Sequence, residues 1–62
     1  MVTVKYYIED LELGVVLLNN SNWEQYSDTN DHMSFTSYDN ALTHIATLPN
    51  GSYRVFSRIT KS

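Results

Sequence analysis

No cysteine occurs in this chain of 62 residues, and at such a length that absence constrains the fold more than any motif does. Small domains usually rely on disulfides or on thiolate-bound zinc. With both excluded, only packing within the chain or against a partner remains. Ordering a residue costs about 1.5 kcal/mol, which nearly offsets what burial returns at this size. The expectation is a marginal monomer or a self-associating one. The sequence is nonetheless 42% hydrophobic and includes five Tyr, two Phe and one Trp. That is too apolar for a disordered chain, so one folded domain over residues 1–62 is expected.

The opening Met1-Val2-Thr3-Val4-Lys5 has no basic stretch ahead of an apolar core, and the longest apolar run, Val15-Val16-Leu17-Leu18, is far below a membrane span. A soluble, cytoplasmic protein is expected, with no membrane partner. The sequons at Asn19 and Asn50 read as turns.

Periodicity divides the chain into elements. From Thr3 to Glu9, Val4, Tyr6 and Ile8 alternate with Lys5, Tyr7 and Glu9, the pattern of a half-buried strand. A turn over residues 10–14 leads into Val15–Leu18, β-branched and wholly apolar, which reads as a central strand buried on both faces. After the turn Asn19-Asn20-Ser21-Asn22, residues 23–27 read as a third strand and residues 32–36 as a short extended stretch. Ser37 has the side chain of an N-cap, and Asp39 meets the positive end of the helix dipole. Tyr38, Ala41, Leu42, Ile45 and Leu48 follow as a single apolar stripe, and Pro49-Asn50-Gly51 ends the helix. Residues 52–60 alternate again, Tyr53, Val55 and Ile59 against Arg54, Phe56 and Arg58.

The fold class expected is α+β: a small two-layer domain in β-β-β-α-β order, with one helix packed on one face of a three- or four-stranded, mainly antiparallel sheet. The helix should pack on Val4, Tyr6, Ile8, Val55 and Ile59, leaving Asn40, Thr43, His44 and Thr47 to solvent. One helix covers one face, so the other face should be open, and function is sought there. That face has Arg54, Phe56 and Arg58 on the last strand and Lys5 and Tyr7 on the first. Arg beside an exposed aromatic is the residue mix of protein hot spots. Tyr7, Trp23, Tyr26 and Phe56 are the aromatic interface candidates, while Tyr6, Tyr38 and Tyr53 read as core with their hydroxyls at its rim.

All seven acids lie between residues 9 and 39, with the four Lys and Arg outside that window. Asp28 and Asp31 are the acids expected to meet a basic partner surface. The simpler reading of the charges is internal, such as cross-strand pairing of an Arg with Glu9. Four bases against seven acids disfavour phosphate binding, so a nucleic-acid-binding regulator is the least favoured of the binding readings. Asp28-Thr29-Asn30-Asp31-His32 followed by Asp39 imitates a calcium loop, but Met33 stands where that loop needs Gly. No metal and no other cofactor is expected. His32 and His44 come with no nucleophile motif, and no catalytic residue is assigned.

The segments Phe35-Thr36-Ser37-Tyr38-Asp39-Asn40-Ala41-Leu42 and Leu48-Pro49-Asn50-Gly51-Ser52-Tyr53-Arg54-Val55 resemble the strand, capped helix, Pro/Gly turn and strand of many small bacteriophage proteins. The resemblance covers less than half the chain. It implies an acidic, non-enzymatic modulator that inhibits a larger host protein, an enzyme or an immune effector. The function expected is therefore a small protein-binding inhibitor acting in the host cytoplasm, possessing no chemistry of its own. The alternative is an accessory module that works as a homo-oligomer.

Overall fold

Alternation at the two ends of the chain builds the longest elements. In the computed structural model, which describes every residue except Asp28 and Ser62, β1 (Val2–Asp10) and β4 (Tyr53–Lys61) pair antiparallel along their whole length, from Val2 opposite Lys61 to Asp10 opposite Tyr53. Between them in sequence come β2 (Val15–Leu17), β3 (Trp23–Glu24) and α1 (Tyr38–Ile45). The sheet has four strands in the order β3-β2-β1-β4, every pairing antiparallel. This is the expected α+β fold in β-β-β-α-β order.

The turn between β1 and β2 closes because Gly14 takes φ +68° and donates its N–H to the Asp10 carbonyl at 2.8 Å. Asp10 Oδ1 also accepts the Glu12 N–H at 2.9 Å. Between β2 and β3, Ser21 adopts φ 70° and Asn20 Oδ1 takes the Asn22 N–H. The third strand is shorter than the expected 23–27, because the chain turns away after Glu24 to run beneath the sheet.

Residues 32–35 do something periodicity does not show. β2 pairs with β1 only at Glu9 and Asp10 and then diverges. The 32–35 segment enters the gap, with Leu18 bridged to His32 on one side and Tyr6 bridged to Phe35 on the other. Tyr6 and Phe35 exchange both backbone hydrogen bonds, at 3.0 and 2.9 Å. Met33 and Phe35 thereby reach the helix-side core.

That core is centred on Ile8, Leu17 and Ala41, with Tyr6, Trp23, Met33, Phe35, Ile45, Leu48, Tyr53 and Val55 packed around it. Ser37 caps α1 as expected, its side chain accepting the Asn40 N–H at 3.1 Å. The helix has eight residues, about 12 Å, and lies against strands of nine, about 30 Å. It therefore covers only part of the sheet. Two expectations, burial of the whole helix stripe and of the strand ends, fail for this reason. Leu42 is 42% exposed, and Tyr38 stands at the margin against Tyr6. Val4 and Ile59, expected under the helix, are 39% and 65% exposed, because the far ends of β1 and β4 run past it as a two-stranded ribbon. His44, expected in solvent, is half-buried against Phe35 with ring centroids 5.4 Å apart.

The domain measures 37 × 24 × 18 Å. Its accessible surface, 4429 Å² for 7.2 kDa, exceeds the about 4100 Å² usual for that mass. No helix among the described residues is long and apolar enough to cross a membrane.

Candidate functional site

The sheet face turned away from α1 is not bare. β1 contributes Lys5, Tyr7 and Glu9 to it, and β4 contributes Arg54, Phe56 and Arg58, in the register Lys5–Arg58, Tyr7–Phe56 and Glu9–Arg54. The loop after β3 folds across this face and lays Tyr26 and His32 over it. Tyr7 and Phe56 are stacked with ring centroids 5.5 Å apart. Tyr26 meets Tyr7 edge-on at 5.7 Å and Phe56 edge-on at 5.9 Å, and His32 is stacked on Tyr26 at 5.1 Å. Tyr7 is left 8% exposed.

Here the expectation of an open face is corrected. Phe56 does have partners within the monomer, and Tyr7 is core, since four rings close a second, smaller apolar layer beneath the sheet. Burial of each ring plus favourable ring geometry makes such a layer worth several kcal/mol. Strand alternation assigns these residues to the right face, but it gives no sign of the loop that covers them.

The covering loop is held by its own polar groups. His32 Nε2 accepts the Ser27 N–H at 3.1 Å, which leaves the proton of the neutral ring on Nδ1. Nδ1 is sealed from solvent and has no hydrogen-bond partner in the structure. Asn30 donates its side-chain amide to the Gln25 carbonyl, and Asn19 donates to Asp31 Oδ1 at 2.8 Å. Asp31, expected to face a basic partner, is thus partly used within the molecule. Asp28 lies outside the described residues. Trp23, expected at the interface, is on the opposite side of the sheet, stacked on Tyr53 at 5.8 Å in the helix-side core.

What the face shows to solvent is cationic. Arg58 lies over the Tyr26 ring at 4.8 Å and Arg54 over Phe56 at 5.8 Å. Arg54 forms a salt bridge with Glu9, the internal pairing that the charge pattern allowed. Being exposed, that pair contributes at most about 1 kcal/mol. Lys5 and Arg58 are directly opposite each other across the two strands, and among the described residues neither has a carboxylate within ion-pair distance. Beside them opens a cleft of about 310 Å³, lined by Lys5, Tyr7, Asn19, Tyr26, Asp31 and His32 among others. No group of three metal-ligating side chains occurs among the described residues.

The structure therefore brings together Tyr7, Tyr26, Phe56, Arg54 and Arg58 from the sequence-based set, sets Asp31 at the cleft, and separates Trp23 from them. Lys5 and His32 belong to the site without having been selected. Lys5 could have been found from the strand register, as the residue facing Arg58; His32 carries no signal of its own, because its place depends on the segment inserted between β1 and β2. The chain matches no family model, no curated protein and no solved structure.

Proposed function

We propose that the protein is a non-enzymatic binding module that modulates a larger protein by occupying part of its surface, and that it docks through the cationic, aromatic-backed face opposite the helix. The observation that carries this reading is the Lys5–Arg58 pair. Like charges directly opposite on neighbouring strands cost a few tenths of a kcal/mol or more, and among the described residues no carboxylate pairs with either. An acidic group from a partner relieves that repulsion. The guanidinium of Arg58 is held against Tyr26, and so pre-oriented, which reduces the entropy lost on binding. Arg and Tyr are also the side chains that dominate interface energetics.

The partner chemistry differs from the one expected from the charge pattern: an acidic patch rather than a basic cleft. The resemblance to small bacteriophage modulators supports a host enzyme or immune effector as the class of partner, reached in the host cytoplasm. A net charge of −3 and a carboxylate at the cleft weigh against nucleic acid.

The test is affinity capture from host extract with wild-type protein and with the Lys5→Glu/Arg58→Glu variant, followed by titration of whatever is captured. A stoichiometric protein partner whose affinity falls at least tenfold in the variant, and weakens with salt, supports the reading. Equal binding by the variant, or no stoichiometric partner, refutes it.

A further inference from the structure

β4 ends the strand order β3-β2-β1-β4, so one of its edges pairs with β1 and the other with no strand among the described residues. Which backbone groups stand at that free edge follows from the neighbouring strand. Tyr6 exchanges both of its backbone hydrogen bonds with Phe35. Its N–H and C=O therefore point away from β4, and Tyr6–Ser57 is a pair without hydrogen bonds in the β1–β4 ladder. Ser57 turns its own N–H and C=O outward, and alternation extends this to Val55, Ile59 and Lys61. The bond from the Leu11 N–H to the Ser52 carbonyl, one step past the Asp10–Tyr53 pair, has the parity this assignment requires.

Such an edge is a template for another strand, and apart from its charges this one lacks the devices that blunt edges. β4 runs nine residues without Pro, and its register with β1 is unbroken by a bulge. Residues 57–61 are all exposed. The ribbon's other free edge, at Val2 and Val4, is cut short by the Phe35 bridge. Charge selects the occupant. β4 carries Arg54, Arg58 and Lys61 and no acid, so a second β4 laid along it would bring like charges together and supply no carboxylate. An acidic strand meets the opposite condition. Because the backbone groups of Arg58 face β1, a residue opposite it on the free side forms the close pair, with Cα atoms about 4.5 Å apart. That residue lies on the face where Lys5 already opposes Arg58 from the other side. Its sequence neighbours fall on the helix side, beside Ile59, which is 65% exposed.

We infer that the partner's docking element is an extended acidic segment that adds antiparallel to β4 as a fifth strand, with a carboxylate opposite Arg58 and apolar residues opposite Ser57 and Ile59. Antiparallel is the sense of every pairing in this sheet and the more stable one per residue. Backbone hydrogen bonds supply the affinity and alternate side chains the specificity. The inference rests on the proposed acidic partner and adds the form in which it is recognised.

The probe is a blocked nine-residue peptide of alternating glutamate and valine, titrated to about 2 mM while amide exchange and cross-strand contacts are followed by NMR. In the free chain the Ser57 and Ile59 amides should exchange fast and those of Phe56 and Arg58 slowly. Peptide at about ten times its Kd should slow Ser57 and Ile59 about tenfold and bring a glutamate Cα–H against that of Arg58. Methylating the valine amides, which removes the donors facing β4 and keeps the charge, should weaken binding at least tenfold, as should replacing glutamate by lysine. Arg58→Glu, at an exposed position, should remove the preference for glutamate. Binding that leaves Ser57 and Ile59 unprotected overturns strand addition while the acidic partner stands. Equal binding of the lysine peptide overturns the acidic occupant together with the reading it rests on. Protection of Ser57 and Ile59 that grows with protein concentration alone assigns the edge to a second copy and overturns the inference, as does absence of binding at about 2 mM.

Discussion

Replacing Phe56 by Ala tests whether the second sheet face is a core. Were that face open, the truncation would remove a surface ring and change stability by about 0.5 kcal/mol or less. In the structure Phe56 is half-buried, stacked on Tyr7 at 5.5 Å and met edge-on by Tyr26 at 5.9 Å. A fully buried Phe→Ala change costs about 3–5 kcal/mol, so partial burial reduces the figure here to about 2–3 kcal/mol. A domain of this length has about 3–9 kcal/mol in all, so the loss is a large fraction. It corresponds to a fall in Tm of about 10–20 °C. Trp23 is the only Trp and is stacked on Tyr53 across the sheet, so its fluorescence in urea reports global unfolding from a place the substitution does not touch. Phe56→Leu keeps much of the apolar volume and loses the ring geometry, and should cost about 1 kcal/mol. A Phe56→Ala curve superimposable on wild type would show that the ring layer contributes nothing, and the face would have to be treated as open.

Ile45→Ala should destabilise by about 2 kcal/mol or more while Leu42→Ala costs under about 1 kcal/mol, because Ile45 packs against the core and Leu42 is 42% exposed; equal urea midpoints would mean the helix is rotated from its position here. Ala41→Leu should cost about 1–3 kcal/mol by overpacking, since Ala41 has no exposed surface between helix and sheet; a neutral or raised Tm would refute that contact. Gly14→Ala should cost about 1 kcal/mol through its backbone alone, because φ is +68° and an added Cβ meets nothing within 4 Å; an unchanged thermal melt would show that the turn is not held in this conformation.

The sequence makes the ends of the fold plain and the middle obscure. Alternation in residues 3–9 and 52–60 identified both long strands and the face of every residue on them, because period-2 burial is a local property. Ser37, the apolar stripe and Pro49 likewise located the helix. What periodicity does not encode is length of cover: a stripe running from Tyr38 to Leu48 predicts a three-turn helix, yet the regular turns stop at Ile45 and Leu42 ends at the edge. The path of residues 25–35 was hidden for a different reason. Its contacts with Leu17, Leu18, Tyr6 and Tyr7 are all long-range, and nothing in Tyr26 or His32 marks them as the cover of the face that Tyr7 and Phe56 share. Within the candidate site, Tyr7, Arg54, Phe56 and Arg58 follow from strand alternation, whereas the contacts that Tyr26 and His32 make over them depend on a loop for which alternation gives no signal.

The pairing of the first strand with the last also sets the order of events in folding. Val2 meets Lys61 and Asp10 meets Tyr53, so the longest ladder cannot begin to form until β4 is available. Until β4 has been made, β1 has only its short pairings with β2 and with Phe35. Closing so large a loop costs entropy before any cross-strand contact returns it, which places this domain among slow, topologically complex folders despite its size. Until then Val4, Tyr6 and Ile8 lack their β4 neighbours, and the hairpins that can form early, β1 with β2 and β2 with β3, are each paired at only two positions and too short to shelter them. Loss of even a few residues from β4 would therefore do more than fray an edge: it would shorten the longest ladder of the sheet, the one that pairs β1 along its whole length.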